Sequence, residues 1–196
     1  MKHLPLLLLL VFISCKKEPK GETQTEPEPI AETQSETENQ VDPSVSKMWE
    51  AYISAHPEFK DAAMPEADFF HNNREDAHRL AELTIEGKKQ ASSGLYNLYQ
   101  QYQVDLPTVG TQQIVTDFDG KAKAIIENTQ IDTIPFNQVS KEYAQLDMGT
   151  DVEPLKKWRK AHWDFFESFL KENGSQPTED MLVVCVQFKT IWPKLD

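Results

Sequence analysis

The order of the periodic segments in this chain predicts an α+β domain whose strands form a small antiparallel barrel or curled sheet. Three observations carry that prediction. Apolar residues recur at spacings of three and four in segments near 45–53, 74–86 and 152–172, the period of amphipathic helices. Alternating or β-branched apolar runs at 112–117, 122–134 and 181–192 carry strand patterning. The helical and strand segments do not alternate regularly along the chain, which argues for α+β.

In the first helix Met48/Trp49 and Tyr52/Ile53 share a face, and the helix ends near Pro57. The second has Ala77, Leu80, Ala81 and Ile85 as its inner stripe, with Gly87 as the residue that stops it. Gln112–Asp117 reads as a strand, Asp117-Phe118-Asp119-Gly120 as a hairpin turn and Ala122–Ile134 as the returning strand. The long helix near 152–172 places Leu155, Trp158, His162, Phe165 and Phe169 on one stripe, with Gly174 after its end. Met181–Trp192 is the closing strand.

The first residues predict export. Lys2 and His3 precede the apolar run Leu4–Ile13, which is too short for a hydrocarbon core but suits a signal peptide. Ser14 then stands directly before Cys15, as in a lipobox, where the signal peptide is cut and the cysteine takes a diacylglycerol. No A-x-A site follows, which favours this reading over an ordinary secretory signal. The expected organisation is a signal peptide at 1–14, a lipid-anchored acidic tether at 15–45 and one domain at 46–196. The anchored domain is expected at the cell envelope, facing the periplasm or the cell exterior.

Residues 16–45 contain no aromatic residue and are dominated by Glu, Thr, Gln and Pro, so they bury too little apolar surface to offset the entropy of ordering. The chain carries a net charge of −12, the segment has three lysines against eight acids, and Lys2 adds one positive charge, which leaves the domain at −8. A domain of that charge does not attract polyanions over long range. With Cys15 lipidated, Cys185 has no partner, so the domain is stabilised by its apolar core and not by an internal disulfide.

No metal or cofactor is expected. His3, His56, His71, His78 and His162 form neither HxxxH nor HExxH, and a single cysteine in the domain excludes CxxC sites. The tract that stands out is Gly87-Lys88-Lys89-Gln90-Ala91-Ser92-Ser93-Gly94, with two ammonium groups and two hydroxyls close together. It reads either as a solvated loop capping the next helix or as a hydroxyl nucleophile beside an amine that takes its proton. His162 lies on the apolar stripe of its helix, as a core residue or facing a cleft. Trp49, Trp158, Trp163 and Phe166 are core aromatics or stack a flat ligand.

Several motifs in order resemble the ASCH family. They are Trp49-x-x-Tyr52, Phe70-x-Asn72-Asn73-x-Glu75-Asp76-Ala77, Leu83-x-x-x-Gly87-Lys88-Lys89-x-Ala91-Ser92, and Leu106-Pro107-x-Val109-Gly110. After them come Ala124-Ile125-Ile126-Glu127-x-Thr129, Ile134-Pro135-Phe136-x-x-Val139, Trp158-Arg159-x-x-His162-Trp163-x-Phe165-Phe166, and Met181-x-Val183-Val184-Cys185-x-x-Phe188. The match is to the longer bacterial branch with a C-terminal WRxxHWxFF helix, and it spans roughly 48–193. The resemblance implies a PUA-like β-barrel with helices around a cleft lined by the GxKxx[ST] tract. Members of the wider family look like RNA-binding modules, and some are similar to hydrolases that deacetylate acetylcytidine or cut RNA.

Carried over, Gly87 and Lys89 match directly, Ser92 takes a threonine position, and Glu127 is the matching strand acid. The resemblance thus implies a catalytic set of Lys89, Ser92 and Glu127, with Gly87, Lys88, Ser93, Asn72, His162 and Trp158 as ligand contacts. The sequence departs from the family pattern at Gly94, at Phe70-His71-Asn72 in place of Phe-Gly-Asp or Phe-Cys-Asp, and at Gly110-Thr111 in place of Gly-Asp. The expected function is a cleft that takes a nucleoside-like ligand or RNA, with hydrolysis through the Lys/Ser/Glu set left open. The alternative is a non-catalytic ligand- or protein-binding module.

Overall fold

The computed structural model describes residues 41–172 and 174–194. The expected signal peptide, Cys15 and most of the expected tether lie outside the described residues. The first helix, α1 (Pro43–Ala55), begins three residues before the expected domain start at 46. Asp42 explains why: its carboxylate accepts from the Ser44 amide at 2.8 Å, and Pro43 takes the first helical position. Val45, Trp49 and Tyr52 form its buried face and pack on Ile114 and Ile125.

After a short 3₁₀ turn (Pro57–Phe59) and a two-residue strand β1 (Ala67–Asp68), helix α2 spans Arg74–Ile85. Asn73 caps it, its Oδ1 accepting from the Asp76 amide at 2.9 Å, and Glu75 and Asp76 sit in the first turn where the helix dipole favours acids. Ala77, Leu80, Ala81 and Thr84 are buried. Gly87 ends the turn at φ +66°, a conformation glycine reaches without the Cβ penalty. The amides of Lys88 and Lys89 then both donate to the Leu83 carbonyl at 2.9 Å, which turns the chain straight into the next strand.

That strand, β2 (Ala91–Leu95), corrects one expectation. Ser92 and Ser93 are not in a capping loop; they pair antiparallel with Val186 and Cys185. Two serines and a glycine carry little strand preference, so the pairing here comes from the neighbouring strand rather than from local propensity. Helix α3 (Tyr96–Tyr102) follows, then β3 (Gln112–Thr116), β4 (Ala122–Pro135), α4 (Lys141–Met148), α5 (Pro154–Glu172) and β5 (Leu182–Trp192). The hairpin between β3 and β4 forms as expected: Gly120 has φ +80°, and Asp117 Oδ1 accepts from the amides of Asp119 and Lys121 at 3.0 Å. Neither α3 nor α4 was anticipated from periodicity.

The strands form one five-stranded sheet in the order β1-β3-β4-β5-β2, antiparallel except for the β1–β3 pair. The β4–β5 ladder runs from Ile125↔Trp192 to Pro135↔Leu182. Irregularities at Ile125/Ile126 and Asn128/Gln130 increase its twist and curl the sheet. Helix α5 buries Pro154, Trp158, Phe166 and Leu170. Its buried stripe is therefore one residue later than the expected Phe165/Phe169 stripe, because adjacent aromatics at 165 and 166 let the pattern be phased either way.

Phe136, Trp158, Phe166 and Val183 are at the centre of the largest core cluster, and Phe136 is 1% exposed. Phe136→Ala is expected to lower unfolding stability by about 3–5 kcal/mol, through lost transfer energy and the cavity left behind. Urea denaturation of the two proteins measures it.

Candidate functional site

The turn at Gly87 delivers Lys89 into the interior, where it is only 3% exposed. An ammonium group has three hydrogens to donate. Here Nζ lies 2.7 Å from the Ala91 carbonyl, 2.9 Å from the Asp147 carbonyl and 2.6 Å from Asp147 Oδ1. The same Nζ lies 4.9 Å from the centre of the Phe70 ring, a cation–π distance. All three hydrogens therefore have acceptors within the protein.

Asp147 projects from α4, which Ser140 caps by accepting from the Tyr143 amide and which stops at Gly149 with φ +62°. Tyr143, Ala144 and Asp147 are its buried residues, at helical spacing. The second carboxylate oxygen, Oδ2, accepts from Ser93 Oγ at 2.6 Å and from the Trp158 indole N–H at 2.9 Å. His162 Nε2 approaches it to 3.3 Å. Since the Trp158 carbonyl can only accept, His162 Nδ1 carries the hydrogen of their 3.0 Å contact, which turns Nε2 toward Asp147. The hydroxyl of Tyr143 donates to the Ser92 carbonyl at 2.7 Å and so fixes the strand beside the carboxylate.

Burial alone would raise the Asp147 carboxyl pKa, but the Lys89 ammonium and His162 more than offset it and hold the group well below the usual carboxylate range. Burial pushes the neighbouring Cys185 thiol up to about 12, and pushes the Tyr143 hydroxyl well above its ordinary value. Cys185 is thus an inert thiol in this setting. Lys89 and Asp147 thus form one buried, hydrogen-bonded charged centre.

Above that centre is a cavity of about 120 Å³. Lys89, Ser92, Ser93 and Asp147 line it with His71, Asp76, Arg79 and His162, and Phe70, Leu80, Met148 and Phe165 are among its apolar walls. Among the described residues the Ser92 hydroxyl has no hydrogen-bond partner. His71 stands at φ +69°, a left-handed conformation uncommon outside glycine. Its ring packs 4.7 Å from that of Phe165. Because Asn73 Oδ1 is committed to the helix cap, Asn73 Nδ2 is the donor to His71 Nδ1 at 3.0 Å, which puts the hydrogen of the neutral ring on Nε2. Burial lowers the pKa of His71 and favours that neutral form. Arg79 donates to Asp76 at 2.7 Å and is half-exposed.

The structure brings together Lys89, Ser92, Ser93 and His162 of the expected site residues. Gly87 shapes the turn behind them. Lys88 is exposed and paired with Glu86 at 2.7 Å, and Asn72 is exposed beside His71. Trp158 is fully buried beneath the cavity, stacked on His162 at 4.5 Å; it holds Asp147 and presents no face to a ligand. Trp49 and Phe166 are likewise core residues. Glu127 does not join the cavity: on β4 its carboxylate pairs with Lys189 at 2.7 Å. The acid beside Lys89 is Asp147, from a helix that sequence reasoning missed. Its only local signal is an acid on the same stripe as Tyr143 and Ala144, between Ser140 and Gly149.

Removing one partner of a buried ion pair strands the other charge. Lys89→Met is expected to cost about 3–5 kcal/mol, and Lys89→Met/Asp147→Leu to recover part of that loss, as read by chemical denaturation. The pH dependence has a definite sign. The unfolded Asp147 carboxyl titrates near 3.8 and the folded one far lower, so its stabilisation is present above that value and is lost as pH falls. Between about pH 5 and pH 2 the wild-type protein is expected to lose stability more steeply than Asp147→Asn. Parallel slopes would show that the carboxylate is not ionised in the fold.

An ASCH domain model matches residues 66–192. The crystal structure of an ASCH domain from Lactobacillus crispatus JV V101 is 32% identical, with a TM-score of 0.70 over 77% of this chain and 96% of that one. The DUF984 protein EF3133 from Enterococcus faecalis V583 is 30% identical, with a TM-score of 0.68 over 76% of this chain and 88% of that one. No curated protein matches the chain. With a family model over most of the domain and two solved relatives sharing its PUA-like α+β architecture, the chain belongs to the ASCH domain family.

Proposed function

We propose that the domain is a binding module whose cavity takes a small, neutral, nucleoside-like ligand, and that Cys15 holds it at a membrane surface. The observation that carries the first part is the state of Lys89. A lysine acting as general base needs a lone pair, and this ammonium donates all its hydrogens to Ala91 and Asp147. Asp147 in turn accepts from Lys89, Ser93 and Trp158, which leaves neither group available to activate Ser92. The arrangement supports a rigid polar floor that presents Ser92, His71 and His162 between the Phe70 and Phe165 rings.

The charge of the domain supports a small ligand over long RNA, whose affinity rests on many phosphate contacts by Lys and Arg. A neutral heterocycle needs only a few donors and acceptors and an aromatic wall. The lipid anchor is supported by the short apolar run before Ser14-Cys15.

One observation favours a second reading, hydrolysis: the unpartnered Ser92 hydroxyl shares the cavity with His71 and His162. Calorimetric titration with cytidine and acetylcytidine, with acetate release followed in parallel, separates the two. Binding without acetate release is expected, and Ser92→Ala is expected to weaken it by roughly five- to tenfold, the worth of about one hydrogen bond. Acetate release that Ser92→Ala abolishes would replace binding with catalysis.

The anchor is tested independently. Cys15→Ser is expected to abolish incorporation of labelled fatty acid and to move the protein out of the membrane fraction. Unchanged labelling would remove Cys15 as the site.

A further inference from the structure

A second concavity, about 260 Å³, opens between α3 and α5. Leu98, Tyr99, Tyr102, Val104, Phe165 and Phe169 wall it, and among the described residues no charged side chain lines it. It adjoins the polar cavity closely. Strand β2 passes from one to the other, Ser92 and Ser93 lining the polar cavity and Gly94 and Leu95 the apolar groove. Phe165 belongs to both linings. At Gly94 a Cβ would come within 2.8 Å of the Tyr99 hydroxyl, so the Tyr99 ring in its present position depends on the glycine. Tyr99 therefore closes directly over the strand where the polar lining gives way to the apolar one.

We infer that the polar cavity and the apolar groove are two halves of one site, and that the ligand joins a small polar head to an apolar arm of a few carbon atoms. The inference rests on the cavity being the seat of the head. The continuity of the groove with the polar cavity through β2 and Phe165 selects an arm of the same ligand, and two further features fit it. The groove lining offers no charge to a charged group, so burial of apolar area is what it rewards. Its outer edge is open, with Tyr102 64% and Val104 59% exposed, so apolar surface stands in water until something covers it. Together the two spaces reach the lower end of the range for small-molecule sites, ~300–1,000 Å³.

The test uses the full chain with cytidine and adenosine, each unsubstituted or carrying a methyl, butyl or hexyl group on the exocyclic amine. Affinity is measured by titration calorimetry. With at least one of the two bases, the dissociation constant is expected to fall by about fourfold per added methylene until the groove is filled. Tyr102→Asp and Val104→Asp place a charge in the open edge, where the fold does not depend on them, and are expected to flatten that dependence. Binding of the unsubstituted nucleosides with no gain on alkylation, or a gain that survives both substitutions, would overturn the inference and leave the cavity as a head-only site. Failure of every probe to bind would overturn the nucleoside reading of the cavity and this inference with it.

Discussion

The buried pair of Lys89 and Asp147 is the interaction on which the organisation of the site depends. Moving an ammonium and a carboxylate out of water costs several kcal/mol each even after relaxation, and their attraction offsets this only when the remaining hydrogen-bonding capacity is met. Here it is met by specific groups: two backbone carbonyls for Lys89, and a serine hydroxyl and an indole N–H for Asp147. Those groups come from three places in the chain: Ala91 and Ser93 on β2, Asp147 on α4 and Trp158 on α5. The pair therefore fixes the start of β2, the end of α4 and the inner face of α5 relative to one another.

That dependence explains why the polar residues around the cavity have such different characters. Those nearest the pair are consumed by it: Ser93 and Trp158 donate inward, and Tyr143 holds the strand backbone. The groups left for a ligand lie one layer out, at Ser92, His71 and Arg79, with the ring of His162 beside them. A floor whose donors and acceptors are already satisfied does not reorganise when a ligand arrives, so binding loses less to ordering of side chains. His71 shows a local cost of the same design. Its left-handed backbone is held by the Asn73 contact and by the Phe165 ring, the side chain that also borders the apolar groove.

Much of the fold was legible in sequence because it follows from local rules. Gly87 ends its helix as expected, and Asp117-Phe118-Asp119-Gly120 makes its hairpin through one carboxylate and one positive φ, whereas the caps at Asp42 and Asn73, equally local in their chemistry, were not read, and Asp42 starts α1 earlier than expected. The site was legible only in part. The Gly87–Ser93 tract marked the right segment without revealing that it enters a strand, and Glu127 was matched through its position on β4, where its side chain pairs with Lys189 instead. The phase of α5 was misjudged at Phe165/Phe166, where neighbouring aromatics face different surroundings.

The sequence by itself determined the acidic character of the domain, its helix caps and turns, its main strands and the tract that carries Lys89, since each follows from residues near one another in the chain. Tertiary structure decided which acid meets Lys89. Asp147 lies fifty-eight residues away, on a short helix with weak periodicity, and no local pattern distinguishes it from a solvated aspartate. Only packing of α4 against β2 and α5 removes it from water, and a carboxylate without water must find donors. The partner was therefore chosen by burial, which is a property of the assembled fold.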